Sequence, residues 1–262
     1  VIYLPTLTII ACRMFEDEIA YLMEKDDSVD NVIIIENEES NGIKNKLSKA
    51  GMDFETKTME NLLNNPLPDN QFNIVIQILE FALHSIPKKL KDEVYTNTKR
   101  LTPISDGILL FYGLCGNVLS DIEQDFADHP CPVGILRENN GETIDDCIGA
   151  VLGGRQKYLD TLKSFKGEGT FFLTPMWAAN WRDMLVSSGF SKDKNDIETS
   201  RYVFNEIGYK HVAKLDTGIN YEEDFHQRVD EFADLFDFDI LHVPANLNTL
   251  KQCYSNFKKE LY

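Results

Sequence analysis

The chain has 262 residues, 43% of them hydrophobic and 26% charged, and a formal net charge of −17. That size suits one large α/β domain or two lobes packed together, and the acidity argues against nucleic acid or an anionic membrane surface as the main partner. Residues 2–10 are broken by Pro5 and lack a basic flank, and no run reaches the roughly 18 apolar residues of a spanning helix, so neither leader nor membrane span is expected. The five cysteines, an odd count without a CxxC pair, point to a reducing, cytoplasmic setting and not to a disulfide framework.

Residues 6–12, rich in Thr and Ile, read as a first strand ending on Cys12. An amphipathic helix over 15–23 follows, with Phe15, Ile19 and Leu22 or Met23 on one face. Residues 32–35 are a continuous apolar strand, and 41–51 a helix closed by Gly51. Residues 72–79 form a third apolar strand, with His84 just beyond it, and Pro87 opens a helix to about Arg100. The run from Ile108 ends in Gly113-Leu114-Cys115-Gly116-Asn117 and reads as a strand buried on both faces. A helix is expected over 118–126 with Asn117 as its N-cap. Cys115 then stands at a strand end, beside a helix N-terminus that favours thiolate.

The second half repeats the pattern. Residues 133–136 read as a strand, 137–142 as a polar loop, and Thr143 as the cap of a helix to about Phe165 that Gly153-Gly154-Arg155 interrupts. The two glycines predict close approach of another backbone or a ligand. Strands follow over 170–174, 212–215 and 239–243, with helices from Pro175, over 197–207, over about 221–236 and over 247–261. Strand alternating with helix argues for an α/β fold, a mostly parallel sheet or sheets with helices on both faces, and a pair of Rossmann-like lobes is one form of it. Halves of 1–130 and 131–262, meeting at Pro130-Cys131-Pro132, are one division; a single continuous domain is the other.

Four constellations carry chemistry. Cys12, Cys115 and Cys147 are three thiols near strand ends or a helix start, and His84 or His242 could add a nitrogen. Such a set suits zinc or another soft or borderline transition metal, or an iron–sulfur cluster, while three separate core cysteines are the plainer reading. Arg137 and Arg155 either clamp an anionic ligand or pair with Glu138, Asp145 or Asp146. Trp177 and Trp181, one helical turn apart, either floor a pocket for a planar ligand or belong to the core. Asp216-Thr217-Gly218 after a strand either orients a ligand or caps a helix. The dinucleotide loop GxGxxG, the P-loop, the GxSxG elbow and HExxH are all missing.

In order along the chain come Tyr112-Gly-Leu-Cys-Gly-Asn117, Asp146-Cys147-Ile148, Leu152-Gly-Gly-Arg155 with Tyr158, Gly169-Thr170, Leu173-Thr-Pro-Met-Trp177 and Asp216-Thr-Gly218. This series resembles a DUF1638-like family, a domain of unknown function of methanogenic archaea and anaerobic bacteria. The family's Pro-Arg-x-His-Asp-Cys segment is altered here: an acidic loop separates Arg137 from Asp146-Cys147, and the histidine is absent. Its Gly-Ser-Arg and Thr-Pro-Gly-Trp appear as Gly-Gly-Arg and Thr-Pro-Met-Trp. The resemblance implies an anaerobe's cytoplasmic protein linked to corrinoid-dependent methyl transfer, and a joint role for the three cysteines.

The leading expectation is therefore a metal-binding protein of one-carbon metabolism. Its ligands are Cys12, Cys115, Cys147 and His84; Asn117, Arg137, Arg155, Trp177 and Asp216 face a small anionic ligand. A metal-dependent methyltransferase and a cofactor-handling protein, with a corrinoid itself as a further cofactor, both fit. One alternative is a metal-free racemase-like enzyme with Cys12 and Cys115 as acid and base. Another is a noncatalytic module docking on a corrinoid protein or methyltransferase through the acidic stretch containing Glu222, Glu223, Asp224, Asp230, Glu231 and Asp234.

Overall fold

A computed structural model describes residues 3–219 and 221–262, apart from the side chains at 82 and 84. The chain divides into two units: the first runs to Cys147 and takes back Thr249–Tyr262, and the second is Ile148–Asn248. The first unit is built on six parallel strands: β1 (Thr6–Cys12), β2 (Asn31–Ile35), β3 (Glu55–Lys57), β4 (Asn73–Leu79), β5 (Gly107–Phe111) and β6 (Val133–Ile135), in the order β3-β2-β4-β1-β5-β6. The interior strands β1, β2, β4 and β5 are mostly apolar and almost wholly buried, because both of their faces are covered. β3 is a polar edge strand, Glu-Thr-Lys, and carries no apolar signal by which sequence could find it.

Right-handed crossovers distribute the helices by direction of travel. The chain moves one way from β1 to β2 to β3, which places α1 (Glu16–Lys25) and α2 (Ser40–Lys49) on one face, packed on each other. It returns from β3 to β4 to β5, which places α3 (Met59–Asn64) and α4 (Pro87–Leu101) on the other. There Leu62, Leu90, Val94 and Leu101 share a core with Ile10, Ile33, Val75, Ile108, Leu110 and Tyr112.

The helix expected over 118–126 shrinks to α5 (Ile122–Asp125). Cys115, Gly116 and Asn117 have φ of 46°, 74° and 72°, and three successive residues in the left-handed region cannot start a right-handed helix. Asn117 is therefore a turn residue and not an N-cap. Thr143 caps no helix either. It forms an antiparallel bridge with Arg137, closed by the Glu138 amide donating to the Glu142 carbonyl (2.8 Å) and the Ile144 amide to that of Leu136 (3.0 Å).

The expected helix over 143–165 is two, α6 (Cys147–Leu152) and α7 (Arg155–Ser164). Gly153 and Gly154, at φ 88° and 109°, make the turn between them, so their need is conformational. In the second unit β7 (Gly169–Leu173), β8 (Tyr209–Asp216) and β9 (Asp239–Pro244) form a parallel sheet in that order. Its helices are α8 (Pro175–Ala179), α9 (Trp181–Ser187), α10 (Ile197–Ile207) and α11 (Phe225–Phe236). Pro175 starts α8 and Gly208, at φ 81°, stops α10, as their chemistry dictates. The core is aromatic: Phe171 stacks on Phe232 at 5.1 Å, with Trp181, Phe204 and Phe236 edge-on around Phe232 or each other.

The last helix, α12 (Asn248–Lys259), lays Phe257 on Gly107 and Gly134 of β5 and β6; a Cβ on either would come within 3.1 Å of the Phe257 ring. Asp26 accepts hydrogen bonds from Tyr254 (2.7 Å) and Lys258 (2.5 Å) of the same helix. Among the described residues no helix is long and apolar enough to cross a membrane.

Candidate functional site

β1 and β5 are neighbours whose outgoing connections part: β1 leads toward β2 on one side and β5 toward β6 on the other. Ligands of open parallel sheets bind beyond the carboxyl ends of such a pair. Cys12 is the last residue of β1. Ala11 lies in register with Phe111, so Tyr112 stands level with Cys12 across the crevice. Cys12 and Cys115 both pack on the core that contains Tyr112.

Cys115 reaches this rim through the left-handed turn. A non-glycine residue at φ 46° is strained, and such strain persists where surrounding structure holds it. Here the hold is visible. The Leu114 amide donates to the Ile144 carbonyl (2.8 Å) and the Cys115 amide to the Asp145 carbonyl (3.0 Å). Gly113 makes this possible, since a Cβ there would stand 2.6 Å from the Ile144 oxygen. Gly113 thus admits a backbone segment, and that segment leads two residues later to Cys147 at the start of α6.

Cys12, Cys115 and Cys147 are each partly exposed. Burial of the Cys12 sulfur pushes its thiol up to about 12, while the Met14 amide pulls the other way and the Cys115 and Glu16 charges add to the rise. Burial likewise pushes Cys115 up to about 11, with the Gly113 amide opposing and Asp146 adding. Both are therefore thiols at neutral pH, contrary to the thiolate expected of Cys115 at a helix N-terminus. Among the described residues, no group of three or more His, Cys, Asp or Glu side chains stands ready to hold a metal ion. The His84 side chain lies outside the described residues, and His242 belongs to β9 of the second unit.

The remaining candidates divide between the units. In the first, Asn117 is exposed in the turn. Arg137 is engaged: its guanidinium pairs with Glu123 and donates to the Gly141 carbonyl (2.6 Å), tying α5 to the 137–143 loop. In the second, Arg155 is exposed at the first residue of α7. The Trp177 ring lies edge-on to Phe171 at 6.0 Å, and Trp181 is core at 3% exposure. Asp216 accepts from the Gly218 amide (2.9 Å), with His226 at 4.0 Å.

Sequence reasoning missed two features of the first unit. Tyr112 was only the end of an apolar run. The other is the acidic opening of α1: Glu16, Asp17 and Glu18 are all buried, with Lys46 3.1 Å from Glu16 and 3.5 Å from Asp17. Gly42 gives them room, because a Cβ there would stand 2.2 Å from a Glu16 carboxylate oxygen.

Residues 78–254 match the model of a family described as a protein of unknown function, DUF1638. The matched span includes Cys115 and Cys147 and begins after β1. No curated protein and no solved structure matches the chain.

Proposed function

We propose that this chain, which belongs to the DUF1638 family of proteins of unknown function, binds a soft or borderline transition metal, zinc before others, through Cys12, Cys115 and Cys147. One observation carries the reading: two thiols end at neighbouring strands where the sheet's connections part, and the backbone of one is bonded to the segment that delivers the third. Sulfur is the donor such metals prefer. Without metal, burial keeps Cys12 and Cys115 protonated, so binding must release protons and strengthen as pH rises.

A thiolate-held zinc supplies Lewis acidity that can activate a substrate thiol. That chemistry suits corrinoid-linked methyl transfer or cofactor handling, a setting that rests on the family resemblance. This chain's own part is to gather the thiols, to exclude water with the Leu90 and Val94 side of α4, and to hold Cys115 in its strained turn. The metal-free acid–base pair is served less well, since one thiol would have to rest as thiolate and burial drives both the other way.

The test is elemental analysis of protein purified without oxygen. About one equivalent of zinc, iron or cobalt is expected in the wild type, falling at least tenfold in Cys115→Ser and Cys12→Ser. Folded, reduced wild type without metal, and unable to take up zinc or cobalt(II) on titration, would sink the reading.

A further inference from the structure

Tyr112 carries a polar atom that the first unit does not satisfy. The residue is 2% exposed, and among the described residues its hydroxyl has no hydrogen-bond partner. The large majority of buried hydroxyls are satisfied, and each orphan calls for an explanation. Tyr112 follows Phe111, the register partner of Ala11, so its backbone stands level with Cys12, and Cys12 and Cys115 both pack on the core that contains its ring. Burial first, and then Cys12, Cys115 and Glu93, raise its hydroxyl well above the ordinary tyrosine range. Neither sulfur bonds to it, so the hydroxyl is left for a group that the chain itself does not supply among the described residues.

We propose that Tyr112 is a ligand-binding residue of the thiol site, its hydroxyl meeting an oxygen atom of the small ligand that Cys12 and Cys115 hold. The inference rests on the reading of the two cysteines as one site. It adds a substrate class: an oxygen-bearing species that is neutral or cationic, not a free anion. Glu16 and Asp146 act on the thiols and Glu93 on Tyr112, while the cations nearby are engaged by acids, Lys46 by Glu16 and Asp17 and Arg13 by Glu39. Arg137, the cation read from sequence as an anion clamp, is engaged by Glu123.

Two trivalent arsenicals separate this claim from the one beneath it. Arsenous acid condenses with two thiols to form two As–S bonds. Two of its hydroxyls leave as water with the thiol protons, no electron is transferred, and one As–OH remains. Phenylarsine oxide forms the same two bonds and loses its only oxygen as one water. Binding of each is measured in the Cys147→Ser protein, where no third thiol displaces the last hydroxyl, with Cys12→Ser and Cys115→Ser added in turn as controls.

Tyr112→Phe is expected to weaken arsenous acid about tenfold, one hydrogen bond's worth, and to leave phenylarsine oxide within about twofold. The melting temperature of the ligand-free protein should stay level or rise, because the variant removes an unsatisfied group. Equal losses for both arsenicals, or a lower melting temperature without ligand, would overturn the role of Tyr112 while leaving the thiol pair standing. If neither arsenical binds, or binding survives the loss of Cys12 and Cys115, the pair falls and the assignment of Tyr112 falls with it.

Discussion

At the scale of single residues, the start of α1 is where charge and burial conflict most. Glu18 is 3% exposed, and burial first, then the charge of Asp17, push its carboxyl up to about 8. In the unfolded chain a glutamate titrates near 4.3. Its folded-state advantage is therefore complete below about pH 4 and is lost as pH rises through about 8. Glu18→Gln should leave stability unchanged at pH 4 and raise it by roughly 1–3 kcal/mol at pH 9, less than the full shift because the amide too must be buried. Urea denaturation across that range checks this; equal pH slopes for both proteins would refute it. Such residues are what sequence conceals. Nothing in the spacing of Glu16, Asp17 and Glu18 reports that Gly42 and Lys46 face them. Tyr112 read as strand because a hydroxyl's partners, or their lack, are a property of packing. Cys12 and Cys115 were legible because each closes an apolar run, and the end of a buried parallel strand is a place that sequence can locate.

At the scale of elements, the sequence succeeded where one rule governed. β1, β4 and β5 are mostly apolar, α10 has its glycine stop, and α8 has its proline start. It failed where rules competed. Val118, Ile122 and Phe126 are spaced as a helix face, yet the turn at Cys115–Asn117 and the bonds to Ile144 and Asp145 use the chain differently. Tertiary contacts outweigh periodicity there, and that is the turn that presents Cys115. The closing helix α12 shows how small a feature can fix an element's seat. Phe257 rests on two glycine positions, and a Cβ on Gly134 would stand 2.6 Å from its ring. Gly134→Ala should cost about 1–3 kcal/mol by overpacking and loosen α12 from the sheet. Cys253, partly exposed on that helix, reports the loosening: its alkylation should quicken severalfold relative to Cys131, which is buried elsewhere in the unit. Unchanged Cys253 reactivity in a destabilised variant would place the damage in β5 and β6 instead.

At the scale of the whole molecule, the second unit enters the chain at Ile148 and leaves it at Asn248, and its own ends are joined: the Asn246 amide donates to the Val151 carbonyl at 2.9 Å. With an aromatic core of its own, the 148–248 segment meets the physical conditions for folding by itself. Excised, it should unfold in urea in one cooperative step. The chain's two tryptophans, Trp177 and Trp181, both lie in it, so indole emission follows this unit alone. A gradual loss of emission without a transition would mean that the segment depends on the rest of the chain. The return of α12 to the first unit also has a consequence in time. A ribosome delivers β1 to β6 first, but Gly107 and Gly134 wait uncovered until the whole second unit has been made and residues 249–262 have emerged. The nascent chain thus finishes its middle before its beginning: the unit that holds Cys12, Cys115 and Tyr112 is the last to close, and for the interval of synthesis its half-covered sheet depends on whatever the cell provides to shelter it.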